Sequence, residues 1–111
     1  AVRQFDRVPQ TPDPVDAVYT CRWQSMGSAP EGAGEGWEKA FRPFAVTRHT
    51  LRLFGGGSEA VFLHDLPASR DKEATSEVLD GDRSLVARQV FHKTSAAAAA
   101  LMWALRGRDI G

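Results

Sequence analysis

His64 and Asp65 close a short apolar run, Ala60-Val61-Phe62-Leu63, and Leu66 and Pro67 follow them. A neutral imidazole can donate and accept hydrogen bonds near neutral pH. The adjoining carboxylate can bind an amine or accept a proton. A second polar group lies upstream, where Cys21, Arg22, Gln24, Ser25 and Met26 surround Trp23. The guanidinium fork of Arg22 suits a carboxylate. Lys93 adds a positive charge just before a run of five alanines, 96–100. Each residue also has a plainer account. His64 fits a strand-to-loop exit, Cys21 a small buried residue, Arg22 a solvated loop arginine, Met26 loop packing and Lys93 an exposed helix lysine.

These residues need elements to position them. The apolar run follows the breakers Gly55-Gly56-Gly57-Ser58 and reads as a buried strand near 60–64, with its exit loop running to 66. Pro67 cannot donate to a ladder, so the strand ends about there. His64 and Asp65 then sit at the carboxyl end of the strand, where open α/β sheets bind ligands. Asp16 to Cys21 reads as another strand and Ser84 to Val86 as the last one. Val2 to Phe5 is short and could be the remnant of a strand. Trp37 to Phe41 reads as a short helix ended by Pro43. Thr47 is an N-cap for a helix over 48–54, with Leu51 and Phe54 on one side and Gly55 as the stop. Lys72 to Leu79 suggests a further short helix. A long one follows over about 88–106, with Val90, Phe91, Thr94, Ala98, Leu101, Met102 and Leu105 on one face, stopped by Gly107. Ser28 to Gly36 reads as a mobile loop. Strand and helix alternation predicts an α/β class: a partial Rossmann-like parallel sheet flanked by helices and ending in a long C-terminal helix.

The 111 residues suffice for one small domain, 1–111. Fourteen basic and fourteen acidic side chains balance, so no basic surplus points to nucleic acid or anionic lipid. The single cysteine excludes an internal disulfide and fits a reducing cytoplasm. The longest apolar run is too short to span a membrane. Residues 1–6 show no secretory pattern. The glycines at 55–57 precede a strand, the wrong order for a phosphate cradle.

Residues 64–70, His-Asp-Leu-Pro-Ala-Ser-Arg, resemble the His-Cys-Leu-Pro-Ala-His-Arg loop of ornithine carbamoyltransferases and the His-Pro-Leu-Pro-Arg loop of aspartate carbamoyltransferases. Trp23, Ser25, Met26 and Gly27 match the ornithine motif Asp-x-Trp-x-Ser-Met-Gly, which begins at Cys21. Arg22 and Gln24 match the Arg and Gln of the aspartate motif Thr-Arg-x-Gln. Phe41 to Thr47 is similar to Phe-x-Pro-Tyr-x-Val, and the segment before Ser84 to Val-x-Asp-x-x-Arg-Ser. The resemblance runs from about Asp13 to Leu105. It lacks the Ser-x-Arg-Thr-Arg loop that holds carbamoyl phosphate and the first strand, turn and helix of the second domain. The chain looks like the C-terminal two-thirds of the amino-acid-binding domain.

The resemblance implies transfer of a carbamoyl group from carbamoyl phosphate to an amine, without metal or organic cofactor. His64 would help hold and polarise the carbamoyl group, while the backbone carbonyls of Asp65 and Leu66 meet its amide. Arg22 and Gln24 would bind the substrate carboxylate, with Ser25 and Met26 in the same loop. Lys93 would replace an Arg, keeping charge but losing the bidentate fork. Two further departures stand out: Cys21 in place of an Asp that pairs with the α-amino group, and Asp65 in place of Cys. The three departures favour a rival account, a non-catalytic ligand-binding domain. The missing strand-helix units suggest a third, a structural fragment whose exposed sheet edge and helix face invite self-association. The expected partners are an amino acid or small amine, carbamoyl phosphate only together with the missing half, and a second copy of the chain. No nucleic acid or membrane is expected.

Overall fold

Two short strands pair in parallel at the centre of the fold, β1 (Ala17–Thr20) and β2 (Val61–His64), with Ala17 opposite Val61 and Thr20 opposite His64. The computed structural model describes residues 2–24 and 36–106. Between the strands come α1 (Trp37–Phe41), a 3-10 turn at Arg42–Phe44 and α2 (Arg48–Phe54); α3 (Ser76–Leu79) and α4 (Val86–Leu105) follow. This is the α/β order expected from the sequence. Ser25, Met26, most of the 28–36 loop and the stop at Gly107 lie outside the described residues.

Local chemistry explains where α2 begins and ends. Thr47 Oγ1 accepts the N–H of Thr50, and Thr50 Oγ1 accepts the N–H of Thr47, both at 3.2 Å. Two helix-start donors that would otherwise lack partners are satisfied reciprocally. At the other end a Cβ on Gly55 would lie 1.9 Å from the Ser58 carbonyl oxygen. The backbone there has φ −80°, so close approach, not a left-handed turn, demands glycine.

The core is small. Phe62 and Leu51 are fully buried among Val46, Ala74, Val78 and Val86, with Val18 and Leu79 packed at the margin. Burying a side chain such as Phe62 contributes roughly 1.5–3 kcal/mol. Val46 stitches the layers together: its N–H donates to Glu73 O at 2.9 Å and its carbonyl accepts from Thr75 at 3.0 Å.

Several expectations need correction. Residues 84–86 form no strand; Ser84 makes a single parallel bridge to Phe62, and helix geometry begins at Val86. Val2 to Phe5 is exposed and irregular. The helix expected over 72–79 covers only Ser76–Leu79, because Glu73 turns inward and Asp71 Oδ1 takes the Ser76 N–H at 2.8 Å. Pro43 does not stop the chain's coiling, since a 3-10 turn carries it through Phe44. The sequence predicts that α4 packs by its apolar face yet carries more apolar area than one small sheet covers, and most of that face is exposed. Only Val86 is buried, while Phe91, Leu101 and Leu105 are 75 %, 62 % and 84 % exposed. The reason is length: 20 residues of helix extend about 30 Å, whereas a four-residue strand offers about 13 Å of platform. The radius of gyration is 17.0 Å, against ~13 Å for a compact chain this long. No helix among the described residues is long and apolar enough to cross a membrane.

Candidate active site

Parallel pairing sets Thr20 and His64 side by side at the carboxyl edge of the sheet, so the loops after β1 and β2 leave from the same side. The alternation of β2 turns Phe62 and His64 to one face, and both are fully buried. His64 Nδ1 accepts the N–H of Leu66 at 2.8 Å. That bond places the proton of the neutral ring on Nε2. Nε2 faces Glu73 Oε1 at 3.3 Å, off the line of a formed hydrogen bond. Glu73 is itself 1 % exposed and accepts the Ser69 N–H at 2.5 Å. The imidazole and carboxylate thus brace the 64–73 segment from inside.

The loop bends sharply. Leu66 has φ +52°, in the left-handed region that costs a β-carbon residue about 1–2 kcal/mol, and its peptide to Pro67 is cis. Asp65 is exposed, with Oδ1 3.2 Å from His64 Nδ1. Its backbone carbonyl accepts Lys93 Nζ at 3.2 Å. Lys93 thus reaches the loop from a turn of α4, while remaining exposed to solvent.

Arg22 and Gln24 do meet this segment. Together with Trp23, Trp37, Ser69 and Glu73 they line a cleft of about 20 Å³, room for a water-sized group only. Trp23 stacks on Phe41 at 5.8 Å and Trp37 meets the same ring edge-on at 5.7 Å, which pins the β1 loop against α1. Lys72 Nζ is paired with Glu38 at 2.6 Å at the rim. Cys21 is exposed at the end of β1, against its plainer account as a buried residue. On the far side of Leu66 a roomier hollow of about 510 Å³ reaches Ala68, Arg70, Asp80 and Ser84. Arg70 forks onto Asp80 there at 2.5 and 2.9 Å. This pairing holds the Asp80 carboxyl below, and the Arg70 guanidinium above, its ordinary value. Another hollow, of about 590 Å³ between residues 3–15, Phe44 and Phe54, lies away from these groups.

Sequence reasoning missed Glu73, Gln89 and Tyr19. Gln89 takes the His64 N–H at 3.0 Å and donates to the Tyr19 hydroxyl at 3.2 Å. Its one sequence signal is a position four residues before Lys93, on the same helix face. Glu73 had none, because its contact depends on the bend at Leu66.

An α/β domain with polar side chains gathered at the carboxyl edge of a parallel sheet is the class the fold defines. The family description "Aspartate/ornithine carbamoyltransferase, Asp/Orn binding domain" matches residues 4–105, and the chain belongs to that family. It is 40 % identical over 88 residues to an ornithine carbamoyltransferase of Methanothermobacter thermautotrophicus, covering 79 % of this chain and 28 % of the relative. Over 93 residues it is 41 % identical to that of Mycolicibacterium gilvum, covering 84 % and 29 %. The solved ornithine carbamoyltransferase of Pyrococcus furiosus superposes with a TM-score of 0.62 at 34 % identity, over 80 % of this chain and 27 % of that one. The chain thus spans under a third of the length of the relatives it matches.

Proposed function

We propose that this chain is the amino-acid-binding portion of a carbamoyltransferase acting on ornithine or a related amino acid. The observation that supports the reading is that the loops after β1 and β2 leave the same edge of the sheet, with Arg22 and Gln24 lining one cleft with Ser69 and Glu73. In the reaction the amine nitrogen attacks the carbamoyl carbon, a tetrahedral intermediate forms, and the bond from carbon to phosphate oxygen breaks, the departing phosphate taking the proton that the nitrogen sheds. Catalysis of this kind rests on positioning and on stabilising developing charge. The carbonyls of Asp65 and Leu66 receive the carbamoyl amide. Lys93, already on the Asp65 carbonyl, keeps a positive charge beside the loop. The buried ring of His64 acts by shaping that loop through Leu66. Arg22 and Gln24, with Ser25 and Met26 of the same loop, bind the carboxylate end, and Cys21 stands at the mouth. The setting is cytoplasmic, in keeping with the free thiol of Cys21.

The chain alone does not turn over, because no loop in it resembles the carbamoyl-phosphate cradle. The test is a carbamoylation assay with ornithine and carbamoyl phosphate, run on the 111-residue chain alone and mixed with a carbamoyl-phosphate-binding half from a relative. Activity only in the mixture, lost with Lys93→Ala, supports the reading. Failure of ornithine to bind in either setting counts for a non-catalytic domain.

The reading includes self-association through α4. Ala87, Phe91, Thr94, Ala98, Leu101 and Leu105 recur at alternating spacings of four and three, a seam suited to a second helix. Antiparallel pairing centred on Ala98 sets Phe91 of one copy against Leu105 of the other. It would bury on the order of 1,200 Å² in total, the lower end of a stable interface.

A further inference from the structure

The edge of β2 that faces residues 83–85 carries an irregularity in its hydrogen bonding. Phe62 N–H donates to Arg83 O at 2.8 Å, and Phe62 O accepts Leu85 N–H at 2.9 Å. Continued one step, this parallel ladder would give the His64 N–H to the Leu85 carbonyl. Leu85, however, is the N-cap of α4, and its carbonyl accepts the Gln89 N–H at 2.9 Å as the first helical bond. The switch from extended chain to helix removes the acceptor that the last residue of β2 requires. The Gln89 side chain restores it: Oε1 accepts the His64 N–H at 3.0 Å. Its other end, Nε2, donates to the Tyr19 hydroxyl on β1 at 3.2 Å.

We propose that Gln89 is a positioning residue that holds the 64–66 loop in its working geometry, with the Tyr19 hydroxyl selecting which end of the carboxamide faces His64. What the loop holds rests on the carbamoyltransferase reading; the clamp itself does not. Three consecutive residues are gripped by side chains: His64 N–H by Gln89, Asp65 C=O by Lys93 and Leu66 N–H by His64 Nδ1. Gln89 and Lys93 are one helical turn apart, so α4 applies two of the three grips from one face. A carboxamide can rotate to exchange oxygen and nitrogen. The exchanged form would set NH₂ against the His64 N–H, donor against donor. Tyr19, by accepting from Nε2, favours the productive orientation.

The substitutions separate clamp from bulk. Gln89→Leu keeps the volume and leaves the His64 N–H without an acceptor. Gln89→Glu keeps that acceptor, and the Tyr19 hydroxyl can turn to donate to its second oxygen. Tyr19→Phe removes the orienting group alone. Amide hydrogen exchange followed by NMR on the 111-residue chain reads each residue separately. The Phe62 amide, bonded to Arg83, serves as internal control. In Gln89→Leu the His64 and Leu66 amides should exchange at least about tenfold faster, with Phe62 changed less than about twofold. Gln89→Glu should restore near-native rates, and Tyr19→Phe should fall between. Equal acceleration of Phe62 and His64 would mean general loosening and would overturn the proposal, as would unchanged His64 and Leu66 amides in Gln89→Leu. A wild-type chain whose 64–66 amides ignore added ornithine would count against the amino-acid-binding reading, while the exchange rates still decide the clamp.

Discussion

Nδ1 of His64 accepts the backbone N–H of Leu66 at 2.8 Å, so the ring that ends β2 also holds the left-handed turn that leaves it. Backbone in that region persists where its surroundings over-determine it. Removing the ring by His64→Ala takes away the acceptor, opens a cavity beside Phe62 and strands the Glu73 carboxylate. The expected loss is about 3 kcal/mol, read from the urea midpoint. A loss below about 1 kcal/mol would mean that the loop is held by something else.

Glu73 should show a graded response. Glu73→Gln keeps an oxygen for the Ser69 N–H and removes only the charge, whereas Glu73→Ala leaves the Ser69 N–H unserved and empties the space facing His64 Nε2. The alanine variant should lose about 2–4 kcal/mol in denaturant titration and the glutamine variant clearly less. Equal losses would show that charge, not hydrogen bonding, is what the site needs.

The Arg70–Asp80 pair gives a pH dependence. The hydrogen bond from Arg70 lowers the Asp80 carboxyl relative to the unfolded chain. A lowered carboxylate adds stability that is present above its unfolded value and disappears as pH falls through the folded one. Melting temperature should therefore drop on acidification in part through this pair, and Asp80→Asn should flatten that limb. Both partners are more than half exposed, so the effect is small and weakens in salt. An unchanged acid limb in the variant would remove the pair from the account.

The exposed seam of α4 predicts concentration-dependent association. Sedimentation at micromolar concentration should show a dimer or larger species, and Leu101→Glu with Leu105→Glu should shift it to monomer while leaving the circular dichroism of the helix largely intact. A wild-type monomer across that range would sink the pairing.

The reciprocal bonds between Thr47 and Thr50 start α2, and Thr47→Ala should cost about 1 kcal/mol. Differential scanning calorimetry would show a lowered transition; no change would mean that packing of Leu51 alone nucleates the helix.

The sequence by itself determined what depends on near neighbours. Thr47 before an amphipathic segment and Gly55 behind it define α2 at both ends, because caps act within one turn. The apolar run before His64 and Pro67 defines β2, and the motif residues around Trp23 and His64 disclose the family. Only the tertiary structure decided the rest. Ser84 to Val86 has strand-like residues, yet Leu85 gives its carbonyl to Gln89 and the chain becomes helix one residue on. Lys72 to Leu79 reads as helix, yet the burial of Glu73 against His64 unwinds its first half. The seven-residue repeat of α4 is plain in the chain, but repeats do not say what lies opposite. A platform two strands wide is too short for a 20-residue helix, and that mismatch exists only once the elements are assembled. The three grips on the 64–66 loop likewise join residues up to 28 positions apart, and no local pattern encodes such contacts.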